Sequence, residues 1–155
     1  MAGAGIFRAL YDEAEFNKIL EALEKASNPN KEAIAWFMGE ELQYISTKAF
    51  EREADPVTGK KWDPIKPRGF GAKSEGSTTT ILRDYDILFG SLTHNDSPEG
   101  TVFGSNMVYA RIHQQGGQAG RDRKTLIPAR PYMGVPQDFD RRILNDPAIL
   151  ELLGI

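Results

Sequence analysis

Two histidines are the residues of this chain best suited to acid–base or metal chemistry. His94 is followed at once by Asn95 and then Asp96, and general bases and metal sites both use a histidine beside a carboxylate. For His113 the nearest acid after it is Asp122, across a break of two glycines. Because an H-x-D match is common by chance, we interpret both histidines as structural, with His113 half-buried and held by a backbone carbonyl or a neighbouring subunit. A small hydrolase using His94, Asp96 and His113 stays open as an alternative, and it requires the three to converge in one pocket.

Other patterns that imitate chemical sites lack the surroundings that such sites need. Residues 69–74 have the letters of a phosphate-binding loop, but they follow prolines rather than a strand and lead into polar residues rather than a helix. Glu40 and Glu41 would point about 100° apart on a helix, so they cannot act as a pair, and we interpret them as part of a solvated face. Cysteine is absent, which excludes disulfides and thiolate chemistry. The sequence therefore predicts no catalytic residue, no cofactor and no bound metal.

Length and composition are typical of a single domain over residues 1–155. The chain is 40% hydrophobic and 26% charged with a net charge of -3, so neither disorder nor a strongly basic nucleic-acid binder is indicated. No apolar run approaches the ~18 residues that a membrane span needs, and the N-terminus lacks the features of a signal peptide. We expect an intracellular, soluble protein with no membrane partner and no small-molecule substrate.

Apolar spacing predicts helices at both ends of the chain. Residues 12–26 are predicted as a first helix, and Asn28 with Pro29 as the cap and first turn of a longer second helix over 29–52. The second helix has a wide apolar face, which indicates burial against this domain's own sheet or against another subunit. Two short helices are predicted at 138–145 and 147–153.

The middle of the chain reads as a long loop followed by short strands and turns. Residues 55–80 are rich in glycine and proline and lack periodicity; 69–80 are expected to be mobile or to order on a partner, while Trp62 holds the start of the loop to the core. The apolar run 87–89 ends at Gly90, and a hairpin with a six-residue loop at 95–100 follows. A short helix at 108–115 is expected to stop at two glycines.

These elements predict an α+β fold in which two N-terminal helices, the second long, pack on a small antiparallel sheet, with a long Gly/Pro-rich loop and short C-terminal helices.

Residues 127–134, which we call the strut, should be rigid because Pro128 and Pro131 restrict the backbone around Arg130. Arg130 is the best candidate for a salt bridge in the core or between subunits, since a guanidinium can hold a carboxylate with two hydrogen bonds. Residues 111–130 carry five basic side chains and one acid, whereas 12–55 are acid-rich. This segregation favours head-to-tail contact between identical subunits, with DNA phosphates as the alternative partner of the basic segment.

Four segments, in this order, carry a resemblance to a known family. They are Phe50 with DPVTGKKW at 55–62, Ile81-Leu82 with LFGSL at 88–92, YARIHQQGG at 109–117, and IPARPYMG at 127–134. Together they resemble the phage virion morphogenesis family, the tail-completion or neck proteins of contractile-tailed phages and related prophages. The resemblance extends from about the second helix to Gly134, and it rests on order and spacing rather than on any single motif.

The resemblance implies a structural virion protein and not an enzyme. It implies a homo-oligomeric ring at the neck, where the tail joins the head, that continues the channel for genomic DNA and contacts other neck and tail proteins. Its place would be the virion, after assembly in the host bacterial cytoplasm. A small DNA-binding module is the main alternative. The family resemblance assigns structural or interaction roles to twelve residues. They are Asp55, Pro56, Gly59 and Trp62 at the loop, Tyr109, His113, Gly116 and Gly117 at the turn, and Pro128, Arg130, Pro131 and Gly134 in the strut.

Overall fold

The computed structural model describes residues 30–65 and 80–153, together with Glu21 and Glu24. Those two glutamates are helical and exposed, and the rest of the predicted first helix lies outside the described residues. The segment expected to be mobile, 69–80, also lies outside them except for Thr80. Among the described helices none has the length and apolar character to cross a membrane.

The predicted long helix is confirmed as α1, Lys31–Arg52. Its cap was predicted wrongly: the Asn30 side chain accepts the Ala33 N–H at 3.1 Å, so the helix begins two residues later than the Asn28 cap would have it. The helix ends at Glu53, which adopts a left-handed conformation (φ 49°) and donates its N–H to the carbonyls of the last turn.

The remaining elements are short and give an α+β fold, as predicted. They are α2 (Ile87–Gly90), β1 (Leu92–Ser97), β2 (Gly100–Ser105), α3 (Ala110–Gln115), β3 (Gly117–Ala119), β4 (Thr125–Ile127), α4 (Phe139–Leu144) and α5 (Pro147–Leu153). The strands form two separate antiparallel pairs, β1 with β2 and β3 with β4. The short helix before the two glycines and both C-terminal helices are confirmed.

Three local features differ from what the sequence led us to expect. The β1–β2 hairpin has a two-residue turn, Pro98 and Glu99, rather than a six-residue loop, because Ser97 already pairs with Gly100. Residues 87–89 form a helical turn rather than a strand. The β3–β4 hairpin was not predicted at all, since its strands have three residues each, too few for alternation to be visible.

One hydrophobic core around the fully buried Phe50 unites the helices α1–α5 and the β1–β2 hairpin, whereas β3 and β4 contribute no buried residue to it. Its ring lies 5.7 Å from that of Trp62 and 5.3 Å from those of Phe89 and Tyr132, centroid to centroid. The β1–β2 hairpin, α4 and α5 all pack against α1. Most of the wide apolar face of α1 is thus covered by its own domain, although Trp36 and Tyr44 stay 47% and 51% exposed.

Candidate functional site

The four segments that carry the resemblance converge in three dimensions, beginning with a turn at residues 55–59, the Asp55 turn. The Asp55 carboxylate accepts hydrogen bonds from Val57 N and the Thr58 hydroxyl, both at 2.8 Å. Gly59 closes the turn with φ +71°, and its main-chain N–H donates a hydrogen bond to the Asp55 carbonyl at 2.9 Å. A short carboxylate and a glycine are what such a turn needs, because one satisfies the free N–H groups and the other tolerates positive φ. Pro56 lies between them, half-buried.

Trp62 connects this turn to the core, as predicted. Its side chain is 6% exposed, its ring packs edge-on against Phe50, and its indole N–H donates to the Pro131 carbonyl of the strut at 2.8 Å. Pro64 and Ile65, which follow Trp62 closely in the sequence, are exposed. The contact that fixes Trp62 therefore comes from the strut, 69 residues away, and not from its sequence neighbours.

Arg130 lies inside the protein, with 9% of its surface exposed. Its guanidinium donates to the carbonyl oxygens of Asp63 at 3.0 Å and Pro64 at 3.3 Å. The main-chain N–H of Arg130 donates to the His113 carbonyl at 2.8 Å. Within residues 30–65 and 80–153 its acceptors are main-chain oxygens, so the predicted pairing with a carboxylate is not observed there. Arg130 joins α3, the strut and the loop after Trp62.

Gln114 is a residue of this site that sequence reasoning missed. Its side-chain oxygen accepts the N–H groups of Tyr132 and Met133 at 2.9 and 3.1 Å, and its side-chain NH₂ donates to the Met133 carbonyl at 2.7 Å. Tyr132 is fully buried and donates its hydroxyl to the Ala110 carbonyl, and burial raises the pKa of that hydroxyl. Ile127 at the start of the strut pairs with Gly117 of β3, whereas at Tyr132 and Met133 it is the Gln114 side chain that satisfies main-chain groups of the strut.

Two glycines mark where the segments touch. A methyl group on Gly116, whose φ is +75°, would lie 2.8 Å from Ala129 N, and one on Gly134 would lie 2.5 Å from Val57 Cγ2. Both distances are shorter than carbon atoms tolerate. Glycine is therefore required at Gly116, where the clash is with the main chain of the strut and φ is positive, whereas at Gly134 a side chain would have to displace Val57 of the Asp55 turn. Gly117 also has positive φ, +152°, at the start of β3.

His113 is half-buried, with its ring edge-on to Tyr109 at 5.9 Å. Its Nδ1 has no hydrogen-bond partner among the described residues, and the prediction that a carbonyl or a neighbouring subunit holds the ring stays a prediction. Burial lowers the pKa of His113, and the charge of Arg130 lowers it further. The neutral ring is the form that suits this position.

His94 belongs to a second cluster, which sequence reasoning only partly anticipated. Its Nδ1 lies 2.9 Å from the Asp96 carboxylate and its Nε2 lies 3.0 Å from Glu40, on α1. The ring rests on Gly39, where a side chain would collide with it, and Asp96 also accepts the Thr101 hydroxyl at 2.7 Å. The sequence alone indicates a solvated face for Glu40. Its pairing with His94 is not visible in the sequence because the two residues are 54 positions apart.

The His94 cluster is an ionic clamp between α1 and the hairpin. Burial of the ring lowers its pKa, but hydrogen bonds with the two carboxylates outweigh that effect, and the pKa is raised. Both ring nitrogens are occupied, which leaves neither free to accept a proton from a substrate. No set of three metal-binding side chains is assembled in the part of the chain that the structure describes.

The basic segment 111–130 divides between surface and interior. Arg121, Arg123 and Lys124 are exposed at the tip of the β3–β4 hairpin, and Lys124 lies 3.3 Å from Asp122. Leu126 on the same hairpin is 71% exposed. Arg130 is the member of the segment that is buried, so the hairpin tip is where the segment could meet a partner.

Comparison with known proteins gives a consistent result. The model of the phage virion morphogenesis family matches residues 12–150. Capsid assembly protein G of Escherichia phage Mu, a provisional name, is 31% identical over 138 residues, which cover 84% of this chain and 86% of that protein. Mu-like prophage FluMu G protein 2 of Haemophilus influenzae is 42% identical over 67 residues, 43% of this chain and 49% of that protein. No solved structure gives a significant match.

Proposed function

We propose a structural role in tail completion for this chain, which belongs to the phage virion morphogenesis family. The resemblance of its four segments to that family is thereby confirmed. In the proposed role the protein acts at the neck, where it helps to join the tail to the head. The observation that carries the proposal is the family match over residues 12–150, which includes every segment that builds the site.

The contacts of the site support a scaffold rather than a catalyst. The polar groups of Trp62, Arg130 and Gln114 form hydrogen bonds with main-chain atoms of neighbouring segments. A catalytic group must instead present a free lone pair or proton to a substrate. His94 is occupied at both nitrogens, and the Nδ1 of His113, unpaired among the described residues, is buried, where a substrate cannot reach it. We therefore assign no catalytic step to the three residues His94, Asp96 and His113.

We further propose that the protein forms a homo-oligomeric ring, which continues the DNA channel and contacts other neck and tail proteins in the virion. The provisional name of the Mu relative refers to capsid assembly, and a role at the head–tail junction agrees with that name. Assembly in the host bacterial cytoplasm follows from the same role.

Deletion of the gene from its phage or prophage tests this proposal. We expect heads and tails to accumulate separately in electron micrographs of the lysate, and a plasmid copy to restore joined, infectious particles. Joined particles in the absence of the protein would refute a role in head–tail joining. A measurable DNA-degrading or peptide-cleaving activity of the pure protein, lost in His94→Gln, would refute the assignment as non-catalytic.

DNA binding is the second candidate function, and the exposed basic tip of the β3–β4 hairpin is the observation that favours it. If the protein binds DNA through its phosphates, the logarithm of the binding constant should fall linearly as the logarithm of the salt concentration rises. An Arg121→Gln, Arg123→Gln double variant should reduce that slope by roughly two if these side chains contact phosphates. An unchanged slope would leave the hairpin without a role in DNA binding.

A further inference from the structure

A surface groove between α1, the Asp55 turn and the start of the C-terminal region combines positive charge with small apolar walls. Its volume is about 480 Å³. Four of its lining residues are basic and one is acidic; the basic ones are Lys48, Arg52, Lys61 and Arg142. The acid, Asp55, already accepts hydrogen bonds within its own turn. We call this feature the basic groove.

Two of the four cations are already paired with acids. Lys48 lies 2.6 Å from Glu51, and Arg142 is bound to Glu41 and Asp138. Lys61 donates to the Arg52 carbonyl, which is neutral, and an ammonium keeps two further N–H donors after one such bond. Among the described residues Arg52 has no ion pair, and both Arg52 and Lys61 are exposed. The charge of the groove that is left for a ligand is therefore that of Arg52 and Lys61.

The walls of the basic groove suit a polypeptide. Ile45, Ala49, Ala54 and Pro136 form a buried apolar base, and Tyr44 stands beside it with 51% of its surface exposed. An exposed tyrosine offers a large contact area at low cost in side-chain entropy. A binding partner should accordingly present carboxylates together with aliphatic groups.

We propose that the basic groove binds the acidic segment 12–25 of a second copy of this chain. The segment has five carboxylates and two lysines, and its Glu21 and Glu24 are helical and exposed. Residues three apart on a helix lie on the same face, so these two carboxylates can meet Arg52 and Lys61 together. The proposal rests on the proposed homo-oligomer and names the surfaces that join its subunits, head to tail.

A charge exchange tests this pairing. One variant carries Arg52→Glu and Lys61→Glu, and the other carries Glu21→Lys and Glu24→Lys. By light scattering, each variant alone should be less associated than the unchanged protein, and an equimolar mixture should recover association, because the mixture again offers one intact groove and one intact acidic segment. Lys31→Glu with Arg141→Glu is the matched control, because both residues are exposed and lie outside the groove and the hairpin tip, and it should leave association unchanged. A mixture that stays monomeric, or a control that weakens association as much as the groove variant, overturns the proposal.

A peptide of residues 9–26 provides a second measurement that does not require assembly. The unchanged protein should bind it on the order of tenfold more tightly than the groove variant does, and a peptide with both glutamates changed to lysine should reverse that order. If Arg52→Glu with Lys61→Glu fails to fold, the single Arg52→Glu variant takes its place. Equal binding of both peptides overturns the proposal, as does a groove that binds duplex DNA and not the peptide. Complementation of the gene deletion separates the groove proposal from the proposed function. If the groove variant restores infectious particles, the groove proposal is wrong and the proposed function stands. If particles form without the protein, the proposed function is wrong.

Discussion

At the scale of single residues, the most informative side chains are those that join distant parts of the chain. Trp62 reaches the strut, Arg130 reaches the loop after Trp62, and His94 reaches α1. Each of them combines a hydrogen bond with burial, and each has a partner more than 50 residues away. Substitutions at these positions should therefore change the stability of the whole domain.

Trp62→Ala should lower the free energy of unfolding by about 3–5 kcal/mol, because it removes a large ring from the core next to Phe50. Trp62→Phe keeps an aromatic ring but loses the indole N–H bond to Pro131, so it should cost less. Urea denaturation measures both. Unchanged stability in Trp62→Ala, together with failed particle assembly, would indicate that Trp62 acts as a docking residue instead.

Arg130→Ala should lower the free energy of unfolding by about 2–3 kcal/mol, since buried carbonyls lose charged donors. Arg130→Lys should recover only part of this loss, because lysine cannot donate to two separate acceptors with a rigid fork. Denaturation curves and native-state proteolysis near Ile65 are the measurements. Full stability of the alanine variant would remove the role in joining segments that the hydrogen bonds assign to Arg130.

The two histidines should make the free energy of unfolding depend on pH in opposite directions. The pKa of His94 is raised in the folded state, so its contribution is complete below the unfolded value of 6.5 and is lost as the pH rises through the folded pKa. The pKa of His113 is lowered, so its contribution is complete above 6.5 and is lost as the pH falls through the folded pKa. His94→Gln should flatten the decline above pH 6.5 while the acid side persists. An unchanged alkaline slope in thermal melts of that variant would contradict the clamp.

At the scale of elements, glycine positions set how closely the pieces approach one another. Gly116 lets α3 end against the strut, Gly134 lets the strut end against the Asp55 turn, and Gly39 lets the His94 ring lie on α1. Gly116 also has positive φ where α3 ends, whereas Gly39 and Gly134 do not have positive φ. Each is approached closely by a neighbour from elsewhere in the sequence: main-chain atoms of the strut at Gly116, the His94 ring at Gly39 and the Val57 side chain at Gly134.

Gly116→Ala should destabilise the protein by about 1–3 kcal/mol, because the methyl group would contact Ala129 N in a backbone conformation that alanine avoids. Gly90→Ala is the matched control. A methyl group there meets nothing within 4 Å and φ is not positive, so stability should change by less than about 0.5 kcal/mol. Equal effects of the two substitutions in chemical denaturation would show that the close approach at Gly116 is unimportant.

At the scale of the whole molecule, the helices α1–α5 and the β1–β2 hairpin share one core, and several apolar side chains stay exposed. Val108 is 92% exposed and Leu126 is 71% exposed, and both lie near the basic segment. A domain that completes its own core does not need a partner in order to fold. It can therefore be made as a separate subunit and still offer surfaces for assembly.

Self-association should make the thermal stability depend on protein concentration. If folded subunits associate and unfolded chains do not, a ~100-fold increase in concentration should raise the midpoint of thermal unfolding by several degrees. Differential scanning calorimetry over that range is the measurement, with light scattering in parallel. A midpoint independent of concentration, with monomers at every concentration, would contradict a ring that forms from this protein alone.

The sequence by itself predicted what depends on local spacing. The long helix α1, both C-terminal helices, the β1–β2 hairpin and the burial of Trp62 follow from periodicity and composition over a few residues. The family follows from the order of four short segments, which the family match confirms. Helix caps and turn lengths were the weaker predictions, since Asn28 and Asn30 are equally good caps and neighbouring pairs decide where a hairpin turns.

Only the tertiary structure decided how those pieces meet. The pairing of Glu40 with His94, the bonds of Gln114 to the strut, the carbonyl partners of Arg130 and the contact of Gly134 with Val57 involve residues far apart in the chain. A single sequence records which groups need a partner, because buried polar groups must be satisfied. It does not record which partner arrives, because that depends on the packing of the whole core around Phe50.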